Sequence, residues 1–557
     1  MLTTVTCYGS GRFDDKQGSN VQDTQIDIAN LPTLTVAKTA EVDVDVVFYP
    51  TPTASPPGLP RYGGELRIVW TGPVQRLDPV TGEIWSIASD YHANAISSHV
   101  FETLVGWDEN HEVQPILLDS WSVSDDGKTN TLKLRDGLTF HDSIPVTAED
   151  VEFSINRWVS GGSAQSTTVR RLALTKWLTT VDELTLTASF RNPFPAFFDL
   201  IGQPHKTPYV MPKRVAIRFG RQSVTEFTGT GPYAFEGWKH GEAVSLDRFR
   251  EYQPREDETS GYAGKQTAWI DRLVWLEIND PQLQVAGLQS RQFDVIDGAP
   301  LDMYASFKQD PSLNVLLGYP GNRAVIYLDP SSGAFTSAEA RQAVQTGVDV
   351  DPLMNAIAGD DLWSKCAAVY WCNTDLAVND GADYYDQGDI EKAQTILATS
   401  DYDGEPVVLI NPNNIPWVSG LGDELAITLE EIGFVVEQPY TDFLIFSGKL
   451  SGTDYYDIWP SWYGYWNGGS PYSDQTIYAQ NRFVAGDAEL EDLKLAYARE
   501  EDPARRLDIV RQINKLRFER PGVVLLGTFP HMLPVTNDLK GISIFALPYY
   551  ANAWLER

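Results

Sequence analysis

The stretch that decides the fold is residues 115–158, PILLDSWSVSDDGKTNTLKLRDGLTFHDSIPVTAEDVEFSINRW. In its first half, apolar residues alternate with polar ones over 121–123 and again over 132–134, which is the period of a half-buried strand. Asp-Asp-Gly at 125–127 has the composition of a hairpin turn. A second Asp-Gly pair then leads to the apolar residues Leu138 and Phe140. These signals predict a small strand meander with one apolar face.

The second half of the stretch changes period. Thr147 stands where the N-cap of a helix belongs, and Glu149 and Asp150 follow it, where acidic side chains favour the positive end of the helix dipole. Val151, Ile155 and Trp158 then recur at helical spacing. The meander is therefore predicted to lead into a capped amphipathic helix.

As a string, this stretch resembles the N-terminal signature of the extracellular solute-binding proteins of family 5, the receptors of dipeptide-, oligopeptide- and nickel-type ABC transporters. The shared parts are the aspartate-rich turn, LKLRDGLTFHD and PVTAEDVEFSINRW. RLDP at 76–79, TGTGPYAF at 228–235 and Arg-Gln-Ala at 341–343 also have counterparts in that family. The resemblance implies an α/β fold of the periplasmic-binding-protein type II class. That fold has two lobes with mixed sheets, an extra subdomain as in the large peptide binders, and a hinge made by two crossings of the chain.

The resemblance and the composition together predict four regions. Residues 1–60, rich in Pro, Thr and Ser, are expected to be a largely disordered leader and tether. The other regions are a first lobe (61–96, 213–325 and 521–557), an extra subdomain attached to it (97–212) and a second lobe (326–520).

Three further local predictions bear on the architecture. Residues 99–108, HVFETLVGWD, are predicted to place Phe101, Leu104 and Val105 on one helix face. NRAVIYLD at 322–329 is predicted to be a buried strand that crosses into the second lobe. EPVVLINP, a helix from about residue 420 and FVVEQPY predict a strand-helix-strand unit with parallel strands.

Charge and hydropathy exclude some classes of function. The chain of 557 residues carries a formal net charge of −33, which would repel nucleic acid phosphates. We interpret the acidic surface as a solubility device, not as a site for a cationic ligand. No run of 18 apolar residues occurs, so no transmembrane helix is predicted.

Enzyme and metal signatures are incomplete in this sequence. Gly127-Lys128-Thr129 imitates the end of a phosphate-binding loop, but Ser122 stands where its first glycine must be. His111 begins an HExxH pattern that Pro115 breaks. Histidines at positions 92 and 99, seven residues apart on one predicted helix, would lie roughly 10 Å from each other. We therefore predict no catalytic residue, no metal site and no cofactor, although sequence alone leaves open a pair of carboxylates of the kind glycosidases use.

The three cysteines comprise two that are close in sequence and one that stands apart. Cys366 and Cys372, separated by five residues, are too far apart in sequence for a CxxC redox pair. A local disulfide is the natural interpretation in an exported protein, and two free buried thiols are the alternative. Cys7 stands alone in a polar leader, and one hypothesis makes it a lipidated first residue of the mature protein.

The predicted binding stretch is SWYGYWNGGSP at 461–471. Its large planar or amide side chains belong either to the core or to a ligand site: Trp462, Tyr463, Tyr465, Trp466 and Asn467. The resembled receptors use this loop to line the pocket between the lobes, and in the peptide binders an aspartate there pairs with the ligand's amino group. No acidic residue stands between positions 462 and 471 here, so a charge pair with an ammonium group is disfavoured.

From the first lobe we expect a weaker contribution from Trp85, Tyr91 and His92, and from Thr230 beside the GTGPY turn. Aromatic platforms suit apolar, aromatic or sugar-ring ligands. The predicted function is a receptor that closes on a peptide and delivers it to an ABC permease. An oligosaccharide receptor of the same fold is the alternative, followed by a carbohydrate-active enzyme or adhesin. A monomer, exported to the periplasm or cell surface, is expected.

Overall fold

The computed structural model describes most of the chain after residue 57. The described residues are 58–72, 74, 76–78, 87–161, 163–204, 207–331, 333–372, 374–413, 415–442, 456–464, 471, 487–545 and 547–557. Several residues singled out from the sequence lie outside these ranges: Cys7, Trp85, Tyr465, Trp466 and Asn467. Residues 1–57, most of the predicted leader and tether, also lie outside them.

The α-helices of the described part are numbered here in chain order. They are α1 Ile87–Val100, α2 Ala148–Val159, α3 Ala164–Leu172, α4 Phe197–Ile201, α5 Lys213–Phe219, α6 Pro281–Gln289, α7 Tyr304–Gln309, α8 Ala338–Gly347, α9 Val350–Ala358, α10 Ile390–Leu397, α11 Pro416–Ile432, α12 Ala488–Arg499 and α13 Pro503–Glu519. None of these helices has both the length and the apolar character needed to cross a membrane.

The strands fall into one large sheet and several small ones. They are β1 Glu65–Trp70, β2 Val105–Trp107, β3 Val113–Pro115, β4 Leu118–Val123, β5 Thr129–Leu134, β6 Ala173–Thr180, β7 Thr185–Phe190, β8 Tyr233–Lys239, β9 Ala243–Arg248, β10 Arg272–Glu277, β11 Val295–Ile296, β12 Leu313–Leu328, β13 Ser364–Lys365, β14 Val407–Val408, β15 Asn411–Pro412, β16 Val436–Glu437, β17 Tyr440–Thr441, β18 Ile458–Gly464, β19 Val523–Thr536, β20 Leu539–Lys540 and β21 Trp554–Leu555.

The deciding stretch folds largely as predicted. Strands β4 and β5 form an antiparallel hairpin in which Trp121 faces Leu132, and β7 and β6 extend it to four strands. Helix α2 begins with a capping box, in which the Thr147 hydroxyl accepts from the Asp150 backbone N–H and the Asp150 carboxylate accepts from the Thr147 backbone N–H. The third strand expected near Phe140 is reduced to one isolated bridge, although Phe140 itself is buried.

The prediction of a helix face over residues 99–108 is wrong. Helix α1 ends at Val100, and the chain then extends into β2, which pairs antiparallel with β3. A Cβ at Gly106 would come within 2.6 Å of the Ile116 side chain, so this strand packs closely against the segment that follows β3. The apolar residues 101, 104 and 105 are buried by tertiary contacts that the helical spacing did not anticipate.

The large sheet connects the two halves of the molecule. Its strand order is β18-β12-β19-β11-β1-β10-β9-β8, with β13 paired to β19. Strands β12 and β19 pair antiparallel over most of their length, and one end of this pair adjoins β11 while the other adjoins β18. The chain therefore crosses twice between the halves, along two paired strands, as the family resemblance implied for the hinge.

Each half of the large sheet has its own core. On the β18 side, Ile326 packs with Leu353 of α9 and Leu425 of α11. On the other side, Leu66 of β1 packs with Trp275 of β10 and with β19. The predicted strand-helix-strand unit is confirmed, because β14 pairs with β16 and β15 with β17, both in parallel, with α11 between them in sequence.

Candidate functional site

Three aromatic side chains meet at the end of the crossing strands nearest β18. Trp462 of β18 lies edge-to-face with Trp417 at the start of α11, with ring centroids 4.6 Å apart. Trp417 contacts Phe529 of β19 in the same edge-to-face manner at 5.4 Å. Trp462 and Trp417 both keep partial exposure to solvent. We call these three residues the aromatic cluster, and its partly exposed rings can stack on a flat or apolar group.

A polar cluster lies on the other side of the crossing, and it consists of Tyr91 of α1, Asp297 and His531 of β19. The Tyr91 hydroxyl donates to Asp297 Oδ1 at 2.6 Å, and His531 Nε2 lies 2.7 Å from the same oxygen. Tyr91 Oη and His531 Nε2 are 3.0 Å apart. Burial first, and then the charge of Asp297, raise the pKa of Tyr91 well above its ordinary value, so Tyr91 remains a proton donor.

Strand β19 joins the two clusters. Phe529 and His531 are two residues apart on this strand, so their side chains project on the same face roughly 7 Å from each other. Asp297 directly follows β11, which pairs parallel with β1. The backbone N–H of Asp297 donates to the carbonyl oxygen of Val69 in β1 at 2.8 Å. Ligand sites of open α/β sheets lie outside the carboxyl ends of parallel strands, and Asp297 occupies that position.

The structure separates the residues predicted from sequence into two groups. Trp462 and Tyr91 take part in the clusters just described. Tyr463 is fully buried, with its ring edge-on to Trp371. His92 is buried, with its ring stacked on Trp70 at a centroid distance of 3.9 Å. Both residues therefore belong to the core. Thr230 is described in the next paragraph, and the remaining predicted residues lie outside the described ranges: Trp85, Tyr465, Trp466 and Asn467.

Thr230 lies at a second, smaller feature in the first half of the molecule. It is 3% exposed. Burial raises the pKa of Glu102, and the charge of Arg135 and the hydrogen bond from Tyr252 oppose this shift only in part. Glu102 and Tyr252, hydrogen-bonded at 2.8 Å, both line a small cavity of about 40 Å³.

A buried arginine, Arg323 of β12, pairs across the sheet with Tyr463 of β18. Cys366 and Cys372 form a disulfide with their Cα atoms 5.7 Å apart, and Arg323 of β12 is enclosed by the loop between them. The Arg323 guanidinium donates to the backbone carbonyls of Val369 and Tyr370 and lies over the ring of a neighbouring tryptophan. This arrangement attaches the disulfide loop to the crossing strand.

Sequence reasoning missed Trp417, Phe529, Asp297 and His531. One signal was available for Asp297: FDVIDG is a short apolar run that ends on an acidic residue, and such a residue at a strand's carboxyl end is a candidate ligand contact. Trp417 and His531 carry no comparable local signal, because each acquires its neighbours from segments far away in the chain.

Comparison with known proteins adds to this geometry. Residues 112–483, more than half of the chain, match the model of the bacterial extracellular solute-binding proteins, family 5 Middle. A probable peptide ABC transporter periplasmic-binding protein of Sinorhizobium fredii is 31% identical over 362 residues, which are 64% of this chain and 66% of that protein. The chain spans about half the length of the other curated relatives compared. In one of them the match covers 51% of the length.

Solved structures share the fold across nearly the whole chain. A periplasmic binding protein of Agrobacterium tumefaciens R10 in complex with agropinic acid superposes with a TM-score of 0.74 at 21% identity, covering 89% of this chain and 99% of that one. A periplasmic binding protein of Helicobacter pylori in complex with a peptide superposes with a TM-score of 0.75 at 17% identity, covering the same shares. The fold is therefore the two-lobed periplasmic-binding-protein fold.

Proposed function

The chain belongs to family 5 of the bacterial extracellular solute-binding proteins, and on that premise we propose that it is the receptor of an ABC importer. It captures a small solute between its lobes and delivers it, chemically unchanged, to a membrane permease. The observation that carries the proposal is the pair of clusters on β19, one aromatic and one polar, where the two strands cross between the lobes.

The proposed mechanism is closure around the ligand. Two paired strands allow the lobes to rotate about a common line, and a ligand that contacts both lobes only in the closed state stabilises that state. Trp462 and Trp417 supply the contact from one lobe, and Tyr91 and His531 supply it from the other. The permease would then recognise the closed form.

A peptide is the leading ligand class, and the receptor would be exported to the periplasm or cell surface. The relative from Sinorhizobium fredii is named for a peptide transporter, which supports this class. An oligosaccharide is the second candidate, because the stretch between 462 and 471 is rich in aromatic residues and has no acidic residue. Lipid attachment at Cys7 and a monomeric state remain parts of the proposal.

A thermal-shift screen tests this function. We expect the full-length protein to gain thermal stability with short peptides, because a ligand that binds only the folded state stabilises it by about 2.7 kcal/mol at a concentration of one hundred times Kd. Cello- and maltotriose form the second arm of the screen. Mass spectrometry of the recovered ligand must find it intact, and turnover of the ligand would instead indicate an enzyme.

Replacement of Trp462 by alanine is expected to weaken ligand affinity by about 1–3 kcal/mol, because a stacked indole makes a large desolvated contact. Isothermal titration calorimetry measures the change. Trp238→Ala is the matched control, since Trp238 is a partly buried tryptophan on β8, at the opposite edge of the large sheet. Unchanged affinity in Trp462→Ala together with a lowered melting temperature would assign Trp462 to the core.

A further inference from the structure

Helices α12 and α13, which we call the helical pair, are fixed to the second lobe. Asn514 of α13 is fully buried, accepts a hydrogen bond from the Val369 backbone N–H at 2.5 Å and donates to the Asp380 backbone carbonyl at 2.7 Å. Val369 belongs to the disulfide loop that Arg323 attaches to β12. In any rotation about the crossing strands, the helical pair therefore moves with the second lobe.

The helical pair also contacts residues 118–201, which hold strands β4 to β7 with helices α2 to α4 and which we call the small-sheet region. Arg171 Nη1, near the end of α3, lies 2.7 Å from Glu491 Oε2 of α12. Glu491 pairs in turn with Lys494, one turn along α12, at 2.8 Å. This chain of charges links the two parts at one point of the seam between them.

Two further contacts cross the same seam. A Cβ atom at Gly127, in the turn between β4 and β5, would lie 3.4 Å from Glu501 Oε1, in the connection between α12 and α13. The Arg506 guanidinium of α13 lies over the Tyr497 ring at 4.4 Å, and its positive charge acts on Asp199 of α4. The turn of the hairpin and helix α4 therefore both meet the helical pair.

Apolar side chains contribute to this contact from both sides. They form one continuous buried cluster, whose buried members among the described residues all lie within 104–210 and 325–525, for example Phe194, Phe197, Tyr497, Ala498 and Val510. Because no other part of the chain supplies a buried member, the two sides pack directly against each other. Opening of the lobes would expose part of this surface to water, which is unfavourable.

The small-sheet region is fixed more firmly to the first lobe. Arg157 of α2 and Asp78 form a bidentate ion pair whose side chains are 3% and 0% exposed. Arg171 and Glu491 instead keep 45% and 20% of their side-chain exposure. A buried ion pair is costly to separate, whereas water readily hydrates the partners of an exposed one. Rotation of the lobes therefore opens the seam at the helical pair and leaves the contact at Asp78 intact.

The carboxylate of Asp199 opposes closure of this seam. Burial raises the pKa of Asp199 to about 6, and the charge of Arg506 and a hydrogen bond from Trp107 oppose that shift only in part. At neutral pH the carboxylate is ionised, and enclosing its charge costs free energy that offsets some of the favourable contacts. The seam is therefore held by a balance of terms, and it can open as well as close.

We propose that this seam is a latch, in which contacts between the small-sheet region and the helical pair favour the closed receptor. This inference rests on the proposed closure mechanism. A contact made only in the closed state increases the population of that state, and the apparent affinity for a solute rises with it. Arg171 and Glu491 belong to neither the aromatic nor the polar cluster, so they act as positioning residues that raise affinity without touching the solute.

Small-angle X-ray scattering of the full-length protein, without solute and at low ionic strength, tests the latch. We expect Arg171→Glu to have a larger radius of gyration than the unaltered protein, because two like charges then face each other across the seam. The double variant Arg171→Glu with Glu491→Arg should return to the smaller radius, since the facing charges are again opposite. Isothermal titration with trialanine should show affinity lower by about three- to tenfold in Arg171→Glu and recovered in the double variant.

Arg214→Glu is the matched control. Arg214 is 44% exposed, nearly as much as Arg171, and it pairs with Glu226 at 2.7 Å and with Asp142. Asp142 belongs to the small-sheet region and Arg214 to α5, so this reversal disturbs the attachment to the first lobe and not the latch. We expect the radius of gyration and the trialanine affinity of this variant to equal those of the unaltered protein.

The outcomes separate the latch from the function on which it rests. Equal radii for the unaltered protein, Arg171→Glu and Arg214→Glu would overturn the latch, whether or not trialanine binds. A larger radius that the double variant does not reverse would assign the effect to local damage and overturn it too. Unchanged trialanine affinity in Arg171→Glu, despite a larger radius, would overturn the role in affinity. A larger, reversible change of radius in a protein that binds neither trialanine nor maltotriose would keep the latch and count against the proposed function.

Discussion

Replacement of Asp78 by alanine is expected to lower the free energy of unfolding by about 3–5 kcal/mol, the usual cost of removing one partner of a buried ion pair. Asp78 has no exposed surface and accepts hydrogen bonds from Arg157 Nη1 at 3.2 Å and Nη2 at 2.5 Å. It also accepts from the Val224 backbone N–H at 2.8 Å. Alanine would leave the buried Arg157 guanidinium without its counter-charge. Chemical denaturation at neutral pH measures the loss.

The matched control for this prediction is Glu149→Ala. Glu149 pairs with Lys213 at 2.7 Å, but both side chains are substantially exposed, so this variant should change stability by at most about 1 kcal/mol. A double variant, Asp78→Leu with Arg157→Met, should recover part of the loss, because it removes both charges. Full recovery is not expected, since Arg157 also donates to the backbone carbonyl of Gly220. Equal effects of Asp78→Ala and Glu149→Ala would contradict the assigned role of the buried pair.

Replacement of Arg323 by methionine is expected to destabilise the protein by about 3 kcal/mol, because each buried carbonyl left without a donor costs about 1–3 kcal/mol. Arg323 is fully buried and donates to the carbonyls of Val369 and Tyr370, inside the disulfide loop. Methionine keeps most of the side-chain volume, so the change isolates the lost hydrogen bonds from a packing defect. Denaturation under non-reducing conditions measures it.

Arg511→Met serves as the control for Arg323→Met. Arg511 is an exposed arginine whose main contact is with Asp508, one turn earlier on α13, and its replacement should change stability by less than about 0.5 kcal/mol. Reduction of the Cys366–Cys372 bond should by itself cost about 2 kcal/mol, as for any short closed loop. If Arg323→Met were as stable as the unaltered protein, the guanidinium would not be what attaches the disulfide loop to β12.

Local signals were sufficient for much of the fold. The hairpin of β4 and β5, the capping box of α2 and the parallel unit around α11 are all set by patterns within a few tens of residues. The helix expected over 99–108 failed because its apolar spacing fits a helix and a buried extended segment equally well. Pairing between β2 and β3, together with the close approach at Gly106, favoured the extended form.

The candidate site was predicted only in part. Trp462 and Tyr91 were named from the sequence, and both lie in the clusters on either side of the crossing. Tyr463 was named for the same reason as Trp462, yet the alternation of β18 turns its ring to the interior. Composition of a loop indicates that aromatic side chains are present, but the strand's register decides which of them face the core.

The sequence by itself determined the local elements, because turn chemistry, capping and hydrophobic period act between near neighbours along the chain. The family and the two-stranded crossing were expected from the resemblance of its motifs to those of known receptors. Only the tertiary structure decided which charged and aromatic groups meet. Tyr91 is separated from Asp297 by 206 residues, and Asp297 from His531 by 234. Contacts over such separations depend on how β1, β11 and β19 align in one sheet, and no local pattern in the chain encodes that alignment.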